Sequence, residues 1–366
     1  MLFKNLASVL LLPAAIRAAV TNLTSSSIAC NNSPSLCSKR YDQITYLGAH
    51  DSPFLRDAST DYSTSGNQYY NSTVQLSGGV RLLTAQVQLT DNDGTELHVC
   101  HSSCSLLDAG RLSDWLGEVR VWMESNPNEV VTLLLVNGAG ASASDLASQY
   151  QRAGITTDLA YTPSGLTSGT QSWPTLQSLI SGGTRLVNFV ASLSDNAAAP
   201  YLMNEFTYIF ENNYETTTPS SFSCEAFRPS DAPGYATEAI SGNKMPLMNH
   251  FLYQETGGDF LSIESPNATY VTTTNAPSGG IGNLGTAADT CNEYYGRNPT
   301  YILVDFFNVG PAMATVDRLN GVTTVVGRTR VSTANEAPSS GASLVVPESR
   351  AVWSVALTFL LAFTLF

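Results

Sequence analysis

Positive charge is scarce in this chain, with 17 lysines and arginines against 30 acidic residues and a formal net charge of −13. That balance excludes a nucleic-acid-binding surface and argues against general adsorption to anionic membranes, since both need basic patches. A phosphate-bearing ligand must therefore be held by local groups. Histidine is equally rare, four in 366 residues, so each position carries weight. No low-complexity linker, internal repeat or abrupt change of composition divides the interior. Long hydrophobic runs are missing too, because no apolar stretch reaches the roughly 20 residues that span a bilayer.

The apolar runs that do stand out lie at the ends. Lys4 precedes the run Leu6 to Ile16, which contains Pro13 and closes on Ala18-Ala19. A basic start, a short apolar core and small residues at its exit describe a secretory signal peptide over residues 1–19. At the other end Ala351 to Phe366 carries no charge. It follows a spacer with Pro347, Glu348 and Arg350 and the small cluster Ser339-Ser340-Gly341-Ala342-Ser343. Small residues, spacer and terminal apolar tail are the layout of a glycosylphosphatidylinositol attachment signal. Ser340 is then the expected attachment residue, 331–343 a short polar stalk with the attachment region, and 344–366 a removed signal. A tail-anchored helix is the competing reading, but the tail is short for one. The expectation is a secreted protein tethered to the outer membrane leaflet at the cell surface.

The remaining composition fits export. Acceptor sequons begin at Asn22, Asn31, Asn71 and Asn267. The six cysteines, Cys30, Cys37, Cys100, Cys104, Cys224 and Cys291, are even in number, which in an exported chain implies disulfides. Sequence leaves the pairing open. Proximity favours Cys30–Cys37 and Cys100–Cys104, leaving Cys224–Cys291 as a long bridge. A zinc site at Cys100, His101 and Cys104 is disfavoured, because no second ligand pair of suitable spacing exists.

Between the ends, residues 20–330 read as one domain built by alternation. Short β-branched, apolar runs recur at 44–49, 80–89, 97–101, 130–137, 185–190, 208–211, 247–250 and 301–306. Several are apolar on both faces, as strands covered by helices are. Leu112, Trp115, Leu116, Val119, Trp122 and Met123 form one helical face that Asn126-Pro127 ends. A second helix starts at Pro311 and stops at Asn320-Gly321. Strand and helix in repetition, with about eight strands, point to an α/β fold, a distorted TIM-type (β/α) barrel.

In such a barrel, chemistry gathers at the C-terminal ends of the strands. His50-Asp51 ends the first run, His101 ends the third inside the Cys100–Cys104 bracket, and Asp305 falls late in the last. Two imidazoles on opposite sides of a pocket can take a proton from a nucleophile and give one to a leaving group. A carboxylate in a run as apolar as 302–307 needs a partner, and a histidine would be one.

With these motifs the chain resembles the phosphatidylinositol-specific phospholipase C-like phosphodiesterases, in particular secreted bacterial and fungal members, from about Tyr41 to Gly321. The likeness rests on His50-Asp51, on Gly79 to Leu83 leading into Cys100-His101, on Trp122 through Asn126 to Val131, and on Val304-Asp305-Phe306. It implies a distorted β/α barrel and metal-independent cleavage of a phospholipid or inositol-containing phosphodiester, without cofactor. His50 would be general base, His101 general acid assisted by Asp51, and Asp305 would orient His50. One departure stands out. Thr84 and Gln86 occupy the positions of an aspartate and of the phosphate-contacting arginine of the bacterial enzymes, where animal-type enzymes carry calcium ligands. Gln86 is then expected to offer the phosphoryl group an uncharged hydrogen bond, and Thr84→Asp combined with Gln86→Arg is expected to raise turnover. Arg81 lies on the opposite strand face and is not expected to compensate. Asn249 and His250 either line the same mouth or are structural. His98 is expected outside the site, and nothing assigns Glu211 a task. The alternative to an enzyme is a surface binding or structural protein on a catalytically weakened barrel.

Overall fold

Side-chain alternation along short parallel strands builds the domain. The structure is a computed structural model that describes residues 28–90, 96–163, 172–256, 263–338 and 346–347; the expected signal peptide, Asn22, Ser340 and the 351–366 tail lie outside them. In chain order the strands are β1 (Tyr46–Ala49), β2 (Leu82–Leu89), β3 (Leu97–Cys100), β4 (Asp108–Arg111), β5 (Val131–Asn137) and β6 (Leu186–Ala191). They continue as β7 (Leu202–Asn204), β8 (Ile209–Glu211), β9 (Met245–Asn249), β10 (Tyr253–Thr256), β11 (Ile263–Pro266) and β12 (Tyr301–Val304). The sheet runs β7-β6-β5-β2-β1-β12-β9-β8, all neighbours parallel, and curls into a barrel that stays open between β7 and β8.

Two strands differ from the sequence expectation. Residues 97–101 form no barrel stave: β3 pairs antiparallel with β2 and then with β4, a hairpin on the rim. The eighth stave is the three-residue β7, too short to show a period. The expected helices form as Leu112–Ser125 and Ala312–Asn320. The second ends on Gly321 at φ 67°, a left-handed turn that glycine adopts without cost.

Parity sorts the strands into two cores. Leu47, Ala49, Leu83, Ala85, Leu133, Leu135, Ile302 and Val304 face outward against the helices. Tyr46, Leu82, Leu134, Phe189, Leu247, Tyr301 and Leu303 fill the interior. At the bottom of the barrel the Tyr41 hydroxyl meets Thr132 Oγ1 and the Tyr301 hydroxyl, both at 2.6 Å, so the barrel is plugged rather than hollow. Gly48 leaves the interior no room for a side chain at this level; a Cβ there would lie 2.4 Å from Leu303 Cδ2. Continuing the same parity upward, His50 follows Tyr46 and Gly48, Gln86 follows Leu82 and Thr84, and Asp305 follows Tyr301 and Leu303. The site is therefore the top layer of the barrel interior.

All three disulfides pair as proximity suggested: Cys30–Cys37, Cys100–Cys104 and Cys224–Cys291. The stretch read as a stalk is docked as far as residue 338. Asn308 Nδ2 donates to the carbonyls of Ser332 (2.9 Å) and Ala334 (3.1 Å), and the Tyr69 hydroxyl donates to Asn335 Oδ1 (3.1 Å). The Asn31 sequon is a structural corner. Its Oδ1 accepts from Val130 N at 2.7 Å while its Nδ2, the atom a glycan would need, is enclosed. Among the described residues no helix is long and apolar enough to cross a membrane.

At the opposite end from the site, Arg81 spends its donors on structure. Nε reaches Glu129 Oε2 at 3.0 Å, Nη1 the carbonyls of Leu76 and Val80 at 2.7 Å, and Nη2 Asn32 Oδ1 at 2.7 Å. Its guanidinium also lies over Trp122, 5.4 Å from the ring centroid. Arg81→Met would leave the buried Glu129 carboxylate unpaired, a loss of about 3–5 kcal/mol. Urea unfolding of the variant should report that loss; a change under about 1 kcal/mol would contradict the assignment.

Candidate functional site

The site is organised around one carboxylate. Asp51 follows β1 in a left-handed conformation, φ 47°, unusual for a residue with a side chain. The conformation is held because Asp51 N donates to Thr84 Oγ1 at 2.7 Å and Ser52 N to the Thr84 carbonyl at 2.8 Å. Asp51 Oδ2 then lies 3.6 Å from His50 Nε2 and 3.6 Å from His101 Nε2. Side-chain exposures of 12% for His50, 8% for His101 and 2% for Asp51 leave these charges little water to screen them.

Gln86 secures that carboxylate. Its Nε2 donates to Asp51 Oδ2 at 2.7 Å, and its Oε1 accepts from Ser102 N at 2.8 Å. One amide thus ties β2 to Asp51 on one side and to the Cys100–Cys104 loop on the other. The Gln86 amide, expected at the phosphate, thus meets Asp51 and the Ser102 backbone, and Thr84 Oγ1 accepts from Asp51 N. The disulfide and the His101 N to Leu107 carbonyl bond (2.9 Å) fix the same loop. Neither ring nitrogen of His101 has a hydrogen-bond partner within the protein, although both are buried. Orphaned polar atoms of this kind are rare in folded proteins and concentrate where a ligand is met.

His50 is held from three directions. Its Nδ1 lies 2.9 Å from Asp305 Oδ1, which also accepts from Asn67 Nδ2 at 3.0 Å. With Nδ1 engaged, Nε2 is the nitrogen turned toward Asp51 and His101. The ring lies flat on Phe251, centroids 3.8 Å apart and planes 4° apart. Gln68 joins the two strand ends beneath, donating to the carbonyls of His50 (2.8 Å) and Val304 (3.1 Å) and accepting from Phe307 N (3.1 Å). Asn275 Nδ2 donates to the Asp305 carbonyl at 2.8 Å, beside Phe306 at φ 44°.

These surroundings push the two imidazoles apart in acidity. Burial disfavours a charged His50, but the Asp51 and Asp305 carboxylates outweigh it, and its pKa is raised. For His101, burial reinforced by the nearby His50 charge exceeds the help of Asp51, and its pKa is lowered. Of the two imidazoles in the free site, His50 therefore takes up a proton before His101 does.

The remaining expected site residues separate. Asn249 is buried, donating to Glu211 Oε2 and the Asn212 carbonyl, both at 3.1 Å, and so it anchors Glu211. His250 has the opposite parity and is not brought into the site. It is fully buried, stacked on Phe222 at 4.1 Å, within 3.0 Å of the Thr274 carbonyl through Nε2, and burial pushes its pKa down to about 4. His98 lies on the hairpin's outer side, 3.0 Å from Asp108. With Cys100 it makes the metal-compatible group found among the described residues, but the Cys100 sulfur is bound in a disulfide and is no thiolate ligand.

Sequence reading missed Asn67, Gln68, Phe251 and Tyr253, which reach the histidines from loops and from β10. It also missed Arg228, which pairs through Nε with Glu211 Oε2 at 2.9 Å and lies 4.4 Å over Tyr214. Beside that pair, Glu205 is fully buried; burial and the Glu211 charge raise its carboxyl well above the usual range.

Known proteins agree with this architecture. The sequence model of the PI-PLC X family matches residues 36–320. "PI-PLC X domain-containing protein 1" from Arthroderma benhamiae is 35% identical over 300 residues, covering 82% of this chain and 92% of that protein. An "Uncharacterized secreted protein" of the same fungus is also 35% identical, over 80% of this chain and 64% of its own length. Among solved structures, the phosphatidylinositol-specific phospholipase C of Staphylococcus aureus, from a study of its membrane binding, aligns over 77% of this chain and 94% of its own. Its TM-score is 0.51 at 13% identity, a likeness of fold. By its sequence and by the barrel that carries it, this chain is a member of the PI-PLC X family.

Proposed function

We propose that the protein is an exported phosphodiesterase that cleaves a phospholipid or another inositol-containing phosphodiester by paired histidine catalysis. The observation that carries this reading is the Asp51 carboxylate 3.6 Å from Nε2 of both His50 and His101, in the top layer of the barrel. As in the family, a hydroxyl next to the ester attacks phosphorus. Its proton passes to His50 Nε2, the new P–O bond closes a cyclic phosphodiester, and the glyceride oxygen leaves with a proton from His101. Asp305 stabilises the imidazolium that forms on His50. Export is supported by the disulfides and by the secreted relative; glycolipid anchoring rests on the C-terminal sequence alone. Calcium does not fit here, because Thr84 and Gln86 supply no carboxylate and are already engaged by Asp51, so no step passes through a metal.

The acidities of the two histidines make the pH profile diagnostic. Reaction needs neutral His50 and cationic His101, the minority arrangement of the free site. The low-pH limb of kcat/KM therefore belongs to His101 and the high-pH limb to His50. Asp305→Asn removes charge that raises the His50 pKa, so it should move the high-pH limb downward on a phosphoinositide substrate. Movement of the low-pH limb instead would contradict this assignment. His50→Ala and His101→Ala should each cost at least ~100-fold in rate.

Gln86→Arg with Thr84→Asp should now lower turnover. A guanidinium at position 86 would neutralise Asp51 and abandon Ser102 N, while a carboxylate at position 84 would bury a second anion beside Asp51. Initial rates of the double variant settle the matter; a gain would mean that Gln86 faces the phosphoryl group after all.

A further inference from the structure

A cleft of about 620 Å³ lies between the loop that follows β1 and the docked C-terminal segment. Arg56, Tyr62 and Tyr70 form one wall; Asn335, Glu336 and Pro338 form the other. Its chemistry suits a neutral, hydroxyl-rich ligand. Tyr62, 57% exposed, and Pro338 offer faces for C–H surfaces, while Arg56 and Glu336 bring a donor and an acceptor. An anion is disfavoured by the Glu336 carboxylate and by the net charge of −13.

The Asn267 sequon sits where the two walls meet. Arg56 Nη2 donates to the Pro266 carbonyl at 3.4 Å, and Asn335 Nδ2 donates to the Ala268 carbonyl at 2.9 Å. The residues before and after Asn267 are thus tied to opposite walls. Asn267 is half-buried, with Oδ1 accepting from Tyr270 N at 3.1 Å, and its Nδ2 is not among the enclosed atoms. Asn71 adjoins only the wall that holds Tyr70, and Asn31 is enclosed.

We infer that Asn267 carries an N-linked oligosaccharide whose first sugars occupy this cleft and hold the C-terminal segment against the barrel. The bond forms between Asn267 Nδ2 and the anomeric carbon of a lipid-linked oligosaccharide, the lipid diphosphate leaving and the amide losing a proton. The inference rests on export, the part of the proposed function that would bring the chain to such a donor. It does not depend on phosphodiester cleavage.

The test uses the full chain secreted by a glycosylating eukaryotic host. Glycopeptide mass spectrometry should find Asn267 occupied. Thr269→Ala, which removes the sequon and spares Asn267, should lower Tm by about 2 °C or more. Tyr62→Ala should lower Tm in the glycosylated protein and add nothing in the Thr269→Ala background, because coupled sites are not additive. A bare Asn267 beside an occupied Asn71 overturns the inference and leaves export intact. Every sequon bare, with the signal peptide uncleaved, overturns both. Equal effects of Tyr62→Ala in the two backgrounds show a sugar that does not enter the cleft, and also overturn it.

Discussion

A carboxylate taken out of water must be met by hydrogen bonds or cations, and Asp51 meets that demand with the Gln86 amide, the Asp51 Oδ2 acceptor lying 3.6 Å from Nε2 of His50, the more basic of the two imidazoles. This requirement orders much of the barrel mouth. Gln86 must reach across from β2, Thr84 must hold the left-handed turn at Asp51, and the disulfide loop must bring His101 close. Because Gln86 bonds both Asp51 and Ser102, the Cys100–Cys104 loop and the shared carboxylate form one mechanical unit. A charged residue at position 86 would serve a phosphate at the expense of that unit. The chain has therefore organised the space between its histidines with a neutral amide.

Asp305 plays the matching part on the other side. It fixes the ring of His50 through Nδ1, and Asn67, Asn275 and Gln68 fix Asp305 and its strand in turn. The result is two histidines in unequal fields, one flanked by two carboxylates and one by a single carboxylate and a neighbouring imidazole. Arg228 and Glu211 add a polar pair at the end of β8, with Tyr214 beneath the guanidinium.

Parity explains what the sequence could disclose. His50, Gln86 and Asp305 each continue an inward-facing series on a strand, so their convergence follows from strand ends and alternation. The same rule separates Asn249 from His250, since neighbours on one strand cannot both face the interior. Residues 97–101 look like a stave because antiparallel and parallel strands share one period. Asn67, Gln68, Phe251 and Arg228 were not legible, because they reach the site from irregular segments whose course depends on tertiary contacts. The role of Gln86 was hidden for a related reason: its position could be read, but its partners lie on two other segments.

The most direct test is phosphorus NMR of a phosphoinositide incubated with the purified mature domain in the presence of a chelator. The account predicts that the lipid phosphodiester resonance is replaced first by that of a cyclic phosphodiester. An unchanged spectrum at high protein concentration would contradict it and leave a barrel that binds without cleaving.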